Sequence, residues 1–251
     1  MRVAIAVNQG WHMGLLDELK QQADLALKQK REKEQVTQLG RNQTLQLAHA
    51  KLKDALLYWV ALFDSLNVIK PEVRHNYYLD GGTIKLENLL QCDYTVNGRR
   101  QTVNHVEYIE AVSLQYNCIS DRKVTLEKQM DPVVRRTREH LVANNVKFDL
   151  KEFSNDYGYI ERGIFTVNCD VSVAINIAAD LPNLQITIST KNLEKFGEYR
   201  YIYDFDEFGQ ELLEELAKVI VARPNMFRTL GRHQQAMRAT LGRAPRLGPD
   251  S

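Results

Sequence analysis

The feature that most constrains this chain is a set of apolar residues with heptad spacing between residues 45 and 69. Eight residues follow the heptad: Leu45, Ala48, Leu52, Ala55, Trp59, Leu62, Leu66 and Ile69. A sustained heptad predicts an amphipathic helix whose apolar seam packs against a partner helix. We expect this helix to end before Pro71, because the residue that precedes a proline is biased away from helical geometry.

Three arrangements could bury this apolar seam. An earlier amphipathic stripe begins near Trp11 and runs to Leu27, and Gly40 offers a break, so the first expectation is an intramolecular helical hairpin. Residues 28–35 carry no apolar side chain and cannot pack on a core. The alternatives are a coiled coil with a second chain and packing against the rest of the protein. The candidate contacts for oligomerisation or partner docking are Leu45, Leu52, Trp59, Leu62, Leu66 and Ile69.

After Pro71 the apolar period changes to two, which predicts strands. Residues 90–96 alternate and lead into Asn97-Gly98, a dipeptide typical of a tight hairpin. Residues 106–118 alternate again as the return strand. Asp131-Pro132 then predicts a short helix with aspartate as N-cap and proline at the first helical position, ending near Asn144.

Residues 146–222 predict four strands followed by a helix. The clearest of them has seven alternating apolar residues: Phe165, Val167, Cys169, Val171, Val173, Ile175 and Ile177. Asp206 is the expected N-cap of the final helix, which ends before Pro224. The fold class is therefore α+β: an N-terminal helical hairpin or coiled coil, an antiparallel β-rich region and a helix–four-strand–helix unit. The predicted segments are 1–71, 72–145, 146–223 and 224–251.

The last segment differs from the rest in its charge. Between residues 223 and 251, six arginines and one acid give +5, which leaves −4 for residues 1–222 in a chain of net charge +1. We expect this Arg-rich tail to be disordered and dispensable for folding. Arginine suits contact with phosphate. The candidate polyanion-binding residues are Arg223, Arg228, Arg232, Arg238, Arg243 and Arg246.

No motif for catalysis, a cofactor or phosphate binding occurs in the sequence. His105 and Glu107 share one strand face and are two potential metal ligands, but a site needs at least a third. The cysteines Cys92, Cys118 and Cys169 are odd in number and form no CxxC pair, so they predict buried thiols. We therefore expect neither a cofactor nor a metal.

The leading functional hypothesis is a non-enzymatic assembly or adaptor protein that self-associates or docks a protein partner through its N-terminal helices. The alternatives are a nucleic-acid-associated protein that contacts phosphates through the Arg-rich tail, and a metal-dependent enzyme without a recognisable motif. The longest apolar run, Ala55 to Phe63, is too short to cross a membrane. The run Val3 to Val7 is shorter than the apolar core of a secretory signal, so we expect a cytoplasmic protein.

Overall fold

The structure is a computed structural model that describes the backbone of residues 15–80, 82–230 and 233–237, and side chains at 27–28, 40–80 and 82–230. The chain divides into two units, residues 1–45 and 46–251. The helices are α1 (Leu15–Ile69), α2 (Asp131–Ala143), α3 (Gln210–Ile220) and α4 (Phe227–Leu230). The strands are β1 (Tyr77–Tyr78), β2 (Lys85–Leu86), β3 (Leu90–Val103), β4 (Val106–Gln129), β5 (Phe148–Ser154), β6 (Ile160–Asp180), β7 (Gln185–Lys191), β8 (Glu198–Asp204) and β9 (His233–Met237).

Helix α1 runs without a break for 55 residues, so the predicted helical hairpin is wrong. The predicted break, Gly40, lies inside the helix. A glycine there costs only about 1 kcal/mol relative to alanine, and Thr44 Oγ1 donates a hydrogen bond to the Gly40 carbonyl at 3.0 Å. The polar stretch before it also favours a helix, because opposite charges lie four residues apart, as at Lys30 and Glu34.

Seven strands form one antiparallel sheet with the order β3-β4-β6-β7-β8-β9, and β5 pairs with β6. β4 pairs with β6 from Ala111↔Ala178 to Gln129↔Arg162. Strands of the predicted β-rich region and of the predicted helix–four-strand–helix unit are therefore neighbours in one sheet, and the latter is not a separate unit. The fold is α+β, as predicted, with a long N-terminal helix and an antiparallel sheet.

The alternation predicted for residues 165–177 is confirmed in β6. All seven apolar residues of that series are buried in the hydrophobic core. The residues between them lie on the opposite face and are half-buried or exposed. A strand with one apolar face fixes its own register, because a shift of one residue would expose every buried side chain.

The hairpin between β3 and β4 turns at Asn104-His105, not at Asn97-Gly98 as predicted. Both turn residues have positive φ, 50° and 62°, and the strands pair directly across them, as in a two-residue turn. Gly98 lies inside β3 instead, where an added Cβ would be 3.2 Å from Leu56 Cδ2. Glycine at this position lets α1 approach the strand closely.

The part of α1 in the second unit packs against β3 and β4. Asn67 Nδ2 donates to the Tyr94 carbonyl at 3.0 Å, and the Tyr94 N–H donates to Asn67 Oδ1 at 2.9 Å. The Ile109 N–H donates to His49 Nδ1 at 2.9 Å. The Phe63 ring lies 4.8 Å from the Tyr94 ring. Polar contacts at both ends and aromatic packing between them hold the helix on the sheet.

Helix α2 begins one residue earlier than predicted. Met130, with φ of 70°, is the N-cap, and Asp131 is the first helical residue. Arg135 Nε donates a hydrogen bond to Asp131 Oδ1 at 2.8 Å, so this carboxylate pairs along the helix rather than capping it. The predicted end of the helix near Asn144 is confirmed.

Helix α3 begins three residues later than predicted, because Asp206 was its expected N-cap. Gly209 is the observed N-cap, and Gln210 is the first helical residue. The delay follows from Phe208, whose buried side chain requires a turn before the helix. The Phe208 carbonyl accepts a hydrogen bond from Lys51 Nζ of α1 at 2.8 Å.

The first residues of the predicted Arg-rich tail pack against the fold. Phe227 is buried, with its ring 4.9 Å from Tyr201 and 5.7 Å from Tyr203. The Tyr203 hydroxyl donates to the Phe227 carbonyl at 2.8 Å. Strand β9 then pairs with β8. Residues 238–251 lie outside the described residues.

Candidate docking surfaces

The heptad residues lie on or beside the buried face of α1, with the exception of Ile69. Leu45, Leu52, Trp59 and Leu66 are buried, Leu62 is half-buried, and Ile69 is exposed. Leu52, Trp59 and Leu66 belong to the same core as the sheet residues. Packing against the β-rich part is therefore the arrangement observed for these three residues. An intermolecular coiled coil through them is not confirmed.

The buried face of α1 follows the period of a straight helix rather than a strict heptad. After Trp59 the next buried residue is Phe63, not Leu62. Phe63 lies 18 residues beyond Leu45, about five turns of 3.6 residues. A heptad drifts by about 20° per repeat relative to such a helix. This drift moves Ile69 out of the core and brings Phe63 into it.

A second surface of α1 carries exposed apolar residues. We define the outer stripe as Lys53, Leu57, Val60, Asp64 and Val68, all of which are exposed. Leu57 is 59% and Val68 is 84% exposed. At about 100° per residue, this stripe is centred about 140° from the buried face. It therefore points away from the core and is available to another molecule.

The sequence contained a signal for the outer stripe that the heptad interpretation did not use. The apolar run from Ala55 to Phe63 surrounds the helix for more than two turns. Only part of such a run can face one sheet, so some of it must be exposed or bound by something else. Leu57, Val60 and Ala61 are the members of the run that the core leaves exposed, and Leu57 and Val60 are the large ones.

The candidate polyanion-binding arginines are only partly described. Arg223 and Arg228 are both exposed. The Arg228 guanidinium forms an ion pair with Glu194, so its charge is already partnered. Arg232, Arg238, Arg243 and Arg246 lie outside the described residues. Contact with a polyanion through these six residues stays a prediction.

His105 and Glu107, the two potential metal ligands, lie near no further ligands among the residues that the structure describes. His105 lies in the β3–β4 turn, and the Glu107 carboxylate pairs with Arg100, with 3.3 Å between Oε2 and Nη1. Within the described ranges, no group of three or more histidine, cysteine, aspartate or glutamate side chains is arranged to hold a metal ion.

The three cysteines are buried and free of disulfides, as predicted. Burial raises the pKa of the Cys118 thiol to about 12. Burial together with the neighbouring Asp93 carboxylate raises the pKa of Cys92 to about 11. Because the thiolate is the reactive form of cysteine, these two protonated thiols are poor nucleophiles at neutral pH.

The face of the sheet opposite the core presents a row of polar side chains. The row crosses five neighbouring strands: Asn97, Ser113, Asn176, Ser189 and Arg200. Four of these strands border a shallow cavity of about 250 Å³. Ser113 Oγ donates to Asn176 Oδ1 at 3.0 Å, and an Arg200 guanidinium N–H donates to Thr187 Oγ1 at 3.3 Å. Arg200 Nε is buried without a hydrogen-bond partner among the described residues. The arrangement as a whole points to no particular ligand.

A half-buried histidine, His75, makes stability depend on pH. His75 Nε2 donates to the Val219 carbonyl at 2.9 Å, and burial lowers the pKa of His75 below its usual value. Below about pH 6.5, His75 binds a proton more readily in the unfolded chain than in the folded chain. Acidification therefore lowers the free energy of unfolding. We expect the free energy of unfolding to fall less between about pH 7 and pH 5 in His75→Gln than in the wild type. Equal pH dependence in denaturant titrations of the two proteins would contradict this assignment.

Comparison of the chain with protein-family models, with curated proteins and with solved structures found no match. Among the described residues, no helix is both long and apolar enough to span a membrane. Evidence for function therefore comes from the surfaces of the protein itself, and the outer stripe is one surface of the described residues whose exposed apolar side chains the core does not cover.

Proposed function

We propose that this protein is a non-enzymatic assembly or adaptor protein, which binds another protein chain through the outer stripe of α1. The observation that carries the proposal is the exposure of Leu57, Val60 and Val68 along one helix face. Leu57 and Val60 are neighbours on this face, and Val68 lies about two turns beyond Val60. Single exposed apolar residues are ordinary on protein surfaces, whereas a group of them on one face is typical of interaction surfaces.

The helix that carries the stripe is rigidly held, which favours binding. Its opposite face is buried in the core, and Asn67 and His49 fix it to β3 and β4 through hydrogen bonds of 2.9–3.0 Å. A partner docking on a preformed helix does not have to order it, so less of the interaction energy is lost on binding. An amphipathic helix face with anchors at i, i+3 and i+4 spacing is also a common recognition mode between proteins.

The test is site-specific photocrosslinking in the cells that make the protein. A photoreactive amino acid at position 57 should give a covalent adduct with another protein chain, because Leu57 is an exposed apolar residue of the stripe. The matched control carries the same amino acid at Ser65, an exposed position on another side of α1. Adducts that form equally at both positions, or at neither, would contradict docking on this stripe.

The alternatives have less support. Of the six arginines in the polyanion proposal, two are described and one of these is paired with Glu194. The metal-enzyme proposal rests on His105 and Glu107, and Glu107 is paired with Arg100. The outer stripe, by contrast, consists of described residues whose exposure is observed: Leu57, Val60 and Val68 are apolar and are not covered by the core.

A further inference from the structure

We propose that the partner of the outer stripe is the same stripe of a second copy of this chain, bound in antiparallel orientation. This inference rests on the proposed docking function and names its occupant. It follows from the order of charged and apolar residues along the stripe. When two copies of the stripe run in opposite directions, the positive end of one faces the negative end of the other.

The spacing of the stripe fits a helix–helix seam. Lys53, Leu57, Val60 and Asp64 are separated by four, three and four residues, the alternation of a and d positions in a coiled coil. In an antiparallel pair centred between residues 58 and 59, Leu57 meets Val60 of the second copy. Lys53 then meets Asp64 of the second copy. Twofold symmetry repeats both contacts, so two ion pairs flank an apolar centre.

Charge decides the orientation. A parallel pair in register would place Lys53 against Lys53 and Asp64 against Asp64, and like charges facing each other oppose association. The antiparallel pair replaces both repulsions with attractions. The charges at positions 53 and 64 therefore favour the antiparallel orientation over the parallel one.

Lys53 and Asp64 are free to make these contacts. Neither has an ion-pair partner among the described side chains. They cannot neutralise each other within one chain, because eleven residues of helix separate them by about 16 Å. Both side chains are exposed, so their charges lie at the surface where a second copy would bind.

The experiment is a charge exchange followed by sedimentation velocity over a range of protein concentrations. The wild type should show a reversible monomer–dimer equilibrium. Lys53→Glu alone and Asp64→Lys alone should each weaken dimerisation by at least about tenfold, since each places like charges opposite each other. The double variant carrying both changes should recover wild-type dimerisation within about threefold, because it restores both antiparallel pairs.

The double variant separates the two orientations. In a parallel pair it would still place like charges opposite each other and would gain nothing over the wild type. Circular dichroism should show the same helix content in all four proteins, since both sites are exposed. A wild type that stays monomeric at high micromolar concentration, or single variants that dimerise as the wild type does, would overturn the self-association. A photocrosslink from position 57 to a different protein would then preserve the docking function alone.

Discussion

Replacing Trp59 with alanine should lower the free energy of unfolding by about 3–5 kcal/mol. Trp59 is fully buried where α1 meets the sheet, with its ring 5.7 Å from the Phe63 ring. Removing the indole leaves a large cavity that neighbours fixed by sheet hydrogen bonds cannot fill. The measurement is denaturant unfolding followed by circular dichroism at one protein concentration.

Two further substitutions sharpen this prediction. Trp59→Phe should cost clearly less than Trp59→Ala, because it fills most of the cavity and removes an indole N–H that has no hydrogen-bond partner among the described residues. The matched control on the same helix is Ser65→Ala at an exposed position, which should change stability by less than about 0.5 kcal/mol. If Trp59→Ala were as mild as the control, the packing of α1 on the sheet would be wrong.

Phe227→Ala should also cost about 3–5 kcal/mol, although the residue lies in the segment that the sequence marked as dispensable. Its ring packs on Tyr201 and Tyr203, and its carbonyl accepts the Tyr203 hydroxyl. Deleting residues 224–251 should destabilise the protein at least as much, because it also removes the Met226 N–H that donates to the buried Glu215 carboxylate. Both changes are checked by thermal and denaturant unfolding.

The matched control for this prediction is Arg228→Ala, one residue further along the chain. The guanidinium is exposed and its ion pair with Glu194 is at the surface, so its removal should cost at most about 1 kcal/mol. A truncated protein that unfolds at the temperature of the parent would show that residues 224–230 do not complete the core.

The sequence was sufficient to predict an element where its apolar periodicity is compatible with only one structure. The alternation from Phe165 to Ile177 requires a strand with one buried face, and β6 is such a strand. The heptad from Leu45 to Ile69 was ambiguous. The apolar stripe of a coiled-coil helix and that of a straight helix packed on a sheet diverge by only about 20° per seven residues. Over this length the two patterns share most of their positions, and only Phe63 and Ile69 reveal which one applies.

Local turn signals failed where tertiary contacts outweigh them. Asn97-Gly98 favours a tight turn, but the glycine is needed in β3 because Leu56 of α1 packs against it. Asn104-His105 takes the turn instead, although histidine is not a usual residue there. Neither choice follows from the neighbouring residues alone, since each depends on a helix some 40 residues away in sequence.

The outer stripe was hidden for a related reason. Leu57 and Val60 lie within an apolar run, and a sequence cannot say which side of such a run the core will cover. That depends on which helix face approaches the sheet, and this is fixed by the contacts of His49 and Asn67 with β3 and β4. Only after the buried side is known do the remaining apolar residues stand out as a separate surface.

The contact between Lys51 and the Phe208 carbonyl has a consequence for how the protein is made. The two residues are separated by 157 positions, and synthesis at about 5–20 residues per second places them roughly 8–30 seconds apart on the ribosome. During that interval α1 has emerged, but the strands and helix that complete its environment have not. Its apolar side chains are then open to other nascent chains and to chaperones, so we expect α1 to be prone to aggregation while the rest of the chain is synthesised.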